Sequence, residues 1–191
     1  MDALEGLPVM TCADAGELDA WLAAHHDTAP GLWLKVAKKA SGVPSVTAGE
    51  IIDVALCHGW IDGQRRSYDD VYYLQKITRR RPRGLWSKVN VQKVADLTAA
   101  GRMREAGLAE VAAAKADGRW EAAYESQRNA EVPDDLRAAL EASPAARETF
   151  EALGKSGQYV VLHRLMTART PVTRAARLER MIEKLERGSA P

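Results

Sequence analysis

Between Gly31 and Arg80 the chain switches its hydrophobic period from strand to helix and back, and after Asn90 it never returns to the period of a strand. Leu32, Leu34 and Val36 alternate with Trp33, Lys35 and Ala37, the two-residue repeat of a half-buried strand. Ser41 to Pro44 break that pattern. Thr47 and Glu50 then stand at capping-box spacing, with Val46 and Ile51 at the two positions of a hydrophobic staple, so a helix starts here and runs to about Gly59. Trp60 to Ser67 and Val71 to Arg80 read as two further strands, joined by a short turn of Tyr68, Asp69 and Asp70. The three strands predict a small antiparallel sheet, and the chain as a whole reads as α+β.

The flanks are helical. Thr11 is the expected cap of an N-terminal helix whose apolar face is Leu18, Trp21, Leu22 and His25, and which ends before Pro30. Beyond Asn90 the chain reads as short helices punctuated by Gly101, Gly118, Pro133, Pro144 and Gly154. The last helix opens at Thr170 and Pro171, carries a stripe of Leu178, Met181, Ile182 and Leu185, and stops at Gly188. With 191 residues, 46% of them hydrophobic, there is enough apolar material for a substantial core. The expected organisation is one domain over 1–191, with a sheet part at 1–88 and an all-helical part at 89–191.

Charge and cysteine content narrow the function classes. A net charge of +1 provides no global field toward nucleic acid or membrane, so electrostatic binding must come from local clustering. Asp2 and Glu5 stand where a signal peptide would be basic, and no stretch approaches the roughly 18 apolar residues of a membrane span, so the expected location is the cytoplasm. Cys12 and Cys57 are far apart and form no CxxC, which predicts free thiols rather than a disulfide or zinc site. No metal-ligand spacing links His25, His26 or His163, and no cofactor motif is present: there is no phosphate loop, GxGxxG, HExxH or GxSxG.

What stands out is a dense polar stretch from Cys57 to Asn90. As a strand, this segment puts Trp60, Asp62, Gln64 and Arg66 on one face and Ile61, Gly63 and Arg65 on the other. An even turn places Arg79 on the face of Asp62, and an odd one Arg80. Either pairing holds the carboxylate ionised, so Asp62 reads as a sheet-stiffening partner or as an orienter of the arginine. Arg79, Arg80, Arg81 and Arg83 precede Trp86, a combination suited to holding an anion and stacking a planar group. The same run also serves as a solvated loop that protects a sheet edge. Ser87 and Asn90 are expected helix caps whose neighbourhood of unpaired N–H groups favours anions. The candidate ligand set is therefore Asp62, Gln64, Arg79, Arg80, Trp86, Ser87 and Asn90, with a small anionic molecule as partner. Nucleic acid ranks below it, because the basic face is narrow and the net charge small.

His58 follows Ile51, Val54 and Ala55 at helical spacing and reads as a cap at the last turn. The same helix end disfavours a Cys57 thiolate, so a Cys57–His58 catalytic pair is rejected. No residue set forms a catalytic signature. The readings carried forward are a ligand-binding protein, then an enzyme using His58 or Asp62 as acid or base, and then an interaction module built on the C-terminal helices.

The segments ALCHGWIDGQ (Ala55 to Gln64), RPRGLWSKVN (Arg81 to Asn90), GRM (Gly101 to Met103) and DGRW (Asp117 to Trp120) come in this order and spacing. Together with GLWLKVAKKASG and the TRAARLERMIEKL tail they resemble the YdeI/OmpD-associated family, also labelled bacteriocin-protection proteins, over nearly the whole chain. Arg79 stands where that family is expected to carry proline, and Gly84 where it carries serine. The resemblance implies a stress or resistance role, without a reaction, cofactor or catalytic residue.

Overall fold

The computed structural model describes residues 3–189; Asp2, one of the two acidic residues noted near the N-terminus, lies outside them. The chain divides into two units, the first made of 1–84 and 90–121 and the second of 85–89 and 122–191. No helix among the described residues is long and apolar enough to cross a membrane.

The first unit is a five-stranded sheet in the order β1-β2-β3-β5-β4. Its strands are β1 (Ala3–Leu4), β2 (Leu7–Thr11), β3 (Gly31–Ala37), β4 (Trp60–Ser67) and β5 (Tyr72–Arg79). Glu5 and Gly6, both at positive φ, make the tight turn that joins β1 to β2. α1 (Ala15–His25) then carries the chain across, so β2 and β3 run parallel. The expectation of about three antiparallel strands is thus corrected to five strands with one parallel pair. The missed strands are short, and β2 contains Pro8, which argues against a strand on sequence grounds. Thr11 accordingly lies in β2, and Asp14 caps α1, its Oδ1 accepting the Glu17 N–H at 3.0 Å.

The two faces of the sheet are unequal. Leu32, Leu34, Val36, Trp60 and Ile77 pack beneath α1 and α2 (Ala48–Cys57), joining Leu18, Leu22, Ile51 and Val54 in the main core. The opposite face carries a smaller cluster of Leu7, Val9, Trp33 and Leu74. There the Arg66 and Lys76 cations sit 5.1 and 5.2 Å from the Trp33 ring, and both are paired to Glu5. Both long side chains thus lie over the Trp33 ring, which is fully buried.

The strongest local signal, at the start of α2, is realised in full. Glu50 Oε2 accepts the Thr47 N–H at 2.8 Å, Thr47 Oγ1 accepts the Glu50 N–H at 3.3 Å, and Val46 and Ile51 are completely buried. α3 (Lys88–Ala99) begins in residues assigned to the second unit and continues in the first, where Lys93 donates to Asp53 at 2.6 Å. α4 (Glu105–Ala116) then meets the end of α2 at very short range. A Cβ on Gly107 would lie 2.3 Å from the Cys57 carbonyl oxygen and 2.7 Å from that of Leu56.

The second unit is helical: α5 (Asp134–Ala142), α6 (Pro144–Ala152), α7 (Lys155–Met166) and α8 (Pro171–Glu186) enclose Leu136, Leu140, Phe150, Val161, Leu165, Met181 and Leu185. Thr170 and Pro171 open α8 as expected, and Gly188 at positive φ closes it. Arg174 grips Asp135 through two hydrogen bonds of 2.7 and 2.8 Å, tying α8 to α5.

Two substitutions test the close helix approach. Gly107→Ala is expected to destabilise the chain by on the order of 2 kcal/mol, because the methyl group meets backbone that cannot yield without parting α2 from α4. Gly49→Ala, whose Cβ would find only the Thr47 hydroxyl at 4.0 Å, is expected to be neutral or stabilising by about 0.5 kcal/mol. Urea denaturation followed by tryptophan fluorescence reads both.

Candidate functional site

The C-terminal end of α2 gathers polar groups from three helices. His58 caps the helix and is only 4% exposed, and its Nε2 lies 2.8 Å from Asp19 Oδ1, which α1 supplies. The other carboxylate oxygen of Asp19 accepts from Arg104 Nη2 at 2.6 Å. Arg104 is in turn the N-cap of α4, and its backbone N–H donates to the Cys57 carbonyl at 3.1 Å. Each member of the Asp19–His58–Arg104 chain is therefore set by a helix terminus or a helix face, not by a loop.

Electrostatics fixes the protonation pattern. Burial alone would raise the Asp19 pKa, but the hydrogen bonds from His58 and Arg104 outweigh it and hold the carboxyl below its ordinary value. Burial pushes the His58 pKa down, overcoming the opposing pull of Asp19, with His26 and Arg104 adding to the downward shift. An ionised carboxylate can only accept, so the neutral ring carries its proton on Nε2 and keeps a lone pair on Nδ1. His26 lies beside it, the ring centroids 5.8 Å apart. Its Nδ1 is 3.2 Å from the Leu22 carbonyl, which also can only accept, so Nδ1 is the donor in that contact. Trp60 Nε1 donates to the His26 carbonyl at 3.1 Å and steadies that segment.

A cavity of about 550 Å³ opens here, lined among others by His26, His58, Trp60, Arg79, Arg80 and Arg81. A second, of about 590 Å³, shares His26 and His58 and adds Arg104 and Glu105. Cys57 borders a third with Asp19, Arg102 and Arg104, but burial raises its thiol pKa, consistent with an unreactive cysteine.

The expected ligand set is only partly brought together. Arg79 and Arg80 line the 550 Å³ cavity; Asp62 and Gln64 do not. Trp60 pairs with Arg79 and Asp62 with Ile77, so the open parity resolves toward Arg79 on the Asp62 face. The expected Asp62–arginine pair is nevertheless not formed with Arg79, whose guanidinium turns away to donate to the Ala29 and Asp27 carbonyls. Among the described residues Asp62 has no ion pair. A bulge between Asp62 and Arg65 breaks the expected alternation, with Gly63 and Gln64 both opposite Lys76. Arg66 consequently sits over Trp33 on the far face, while Arg65 takes the Asp62 side above the Tyr73 ring. Buried Gln75 steadies the bulge by donating to the Gly63 carbonyl at 3.1 Å.

Trp86 and Ser87 belong to the second unit, where Trp86 is 2% exposed and Ser87 bridges to Tyr124. Asn90 falls within the first turn of α3 instead of preceding it. No group of three or more metal-ligating side chains occurs among the described residues. Sequence reasoning missed Asp19, His26 and Arg104. Asp19 and Arg104 stand 39 and 46 residues from His58, and no local pattern announces that they meet.

No curated protein and no solved structure matches the chain. A family model described as bacteriocin-protection, YdeI or OmpD-associated matches residues 129–188. That includes the TRAARLERMIEKL tail but not the Ala55–Gln64, Arg81–Asn90 or Gly31–Gly42 segments on which the wider resemblance rested, so the resemblance is shown for this part of the chain. Residues 10–110, just over half of the chain and the part that carries the His58 cavity, match a different model, and the chain belongs to the family it describes, a domain of unknown function (DUF8412).

Proposed function

We propose that the first unit binds a small anionic molecule in the cavity walled by His26, His58 and Arg79 to Arg81, and that the protein acts in a stress or resistance response. The observation that carries the binding reading is the convergence of three consecutive arginines and two histidines on one concavity of about 550 Å³, where the arginines outnumber the acidic Asp27 and Glu110 that also line it; the volume is within the range of small-ligand sites. Arg79 is committed to backbone carbonyls, which leaves the exposed Arg81 as the most accessible cation. The resistance reading is supported by the bacteriocin-protection match in the second unit.

A second reading, acid–base catalysis, is favoured by one specific contact. The 2.8 Å hydrogen bond from His58 to ionised Asp19 fixes the tautomer and leaves Nδ1 as the basic nitrogen, which a general base requires. An anion held by Arg81 would then be the substrate, with His58 taking a proton from it.

Calorimetry on the full chain with a panel of phosphate and carboxylate metabolites tests the binding reading. At least one compound is expected to bind, with Arg81→Ala and His26→Ala each weakening it on the order of tenfold. A panel without a binder, or a binder indifferent to both substitutions, would contradict it.

The His58 shift also predicts a pH dependence. Its folded pKa is below the ordinary value of 6.5, so the unfolded chain takes up a proton that the folded chain resists, and stability falls as pH drops through that range. His58→Gln should flatten this part of the curve. His163, which burial and Arg177 also push down, supplies a residual slope. Identical slopes for the two proteins between pH 7.5 and pH 5, a range bracketing the ordinary histidine value of about 6.5, would refute the assignment.

A further inference from the structure

The second unit contains a separate cavity of about 490 Å³ at the junction of α7 and α8, lined by Arg164, Thr167, Arg177, Arg180, Met181 and Lys184. Four cations surround it and no acidic side chain lines it. We propose that it is a binding site for a small phosphorylated anion carrying at least two charges.

The simplest alternative is that these cations only cap the C-terminus of α7, whose carbonyls attract positive charge. That role is real but limited. Arg177 Nη1 donates to the Arg164 carbonyl at 2.7 Å and to Thr167 Oγ1 at 3.2 Å, while Arg174, outside the cavity, donates to the Leu165 carbonyl at 3.0 Å. Capping therefore accounts for Arg174 and Arg177. Arg164 and Lys184 stand in the last turns of α7 and α8, where the dipole also favours a cation, but neither they nor Arg180 have an acidic side-chain partner among the described residues, and Arg180 stands outside a last turn. Arg180 uses only Nε, on the Ala176 carbonyl at 3.0 Å, which leaves both terminal nitrogens directed by that anchor.

The spacing is equally informative. Arg177, Arg180 and Lys184 follow each other at three and four residues, so they form one ridge along α8. Like charges on adjacent turns repel, and a bound multivalent anion removes that repulsion. A single negative charge would leave most of it in place. Anchored guanidiniums present paired N–H groups that match phosphate oxygens, and the buried Met181 gives the cavity an apolar floor suited to the organic part of a phosphate ester. The volume admits a small metabolite and is too small for a folded partner. This site is independent of the His58 cavity, sharing no residue with it.

Inorganic pyrophosphate and tripolyphosphate are the probes, titrated calorimetrically into the full chain. Both are expected to bind, with tripolyphosphate the tighter and with affinity falling as salt rises. The double variant Arg180→Ala/Lys184→Ala, both exposed positions, should lose at least about tenfold in affinity with unchanged circular dichroism. The charge-matched Arg128→Ala/Arg147→Ala control should bind as the parent does, and the Arg180→Ala/Lys184→Ala loss should persist in an Arg81→Ala background, where any contribution of the His58 cavity is already weakened. Absence of binding, or an equal loss in the charge-matched control, would overturn the proposal. So would tighter binding to vesicles of anionic phospholipid or to a DNA duplex than to either probe.

Discussion

The first unit depends on a backbone contact at the end of α2. Gly107 lets α4 approach until its Cα faces the Leu56 and Cys57 carbonyls, where a single methyl group would collide at 2.3 Å. Gly59, at positive φ, closes α2 at the same place, and its own hypothetical Cβ would lie 2.9 Å from the Ala106 carbonyl. From that junction follow the Arg104 N–H on Cys57, the Arg80 N–H on Gly59 at 3.3 Å, and the Asp19–His58–Arg104 chain. Side chains separated by dozens of residues meet because two helices and a strand are locked together where the backbone has least room.

That junction also explains the chemistry of His58. A histidine capping an exposed helix end would keep an ordinary or raised pKa, since the helix dipole favours the cation. Here the side chain is buried, and desolvation outweighs the pull of Asp19. The result is a neutral, oriented imidazole beside a row of arginines. The opposite face of the sheet solves its solvent problem differently, covering Trp33 with long cationic side chains where the other face has helices.

Much of the fold was legible from local rules. The α2 start, the β4–β5 hairpin and the Thr170–Pro171 opening of α8 each follow from residues within one turn of each other. What escaped depends on distance or on a single irregularity. β1 and β2 are too short to show a period, and the bulge after Asp62 reversed the faces of Arg65 and Arg66. For the candidate site, the arginines were visible as a run, and His58 was correctly placed at a helix end. Its elevation from cap to centre of the cavity required Asp19 and Arg104, which only the tertiary contacts supply.

The central claim is that burial holds His58 neutral against the pull of Asp19, while the Asp19 carboxylate fixes the ring proton on Nε2. Nitrogen-15 NMR of the histidine side chains in the intact protein measures this directly. At pH 7 the account predicts a protonated Nε2, an unprotonated Nδ1, and a titration midpoint below the ordinary value of 6.5. A proton on Nδ1, or a midpoint at or above that value, would contradict it.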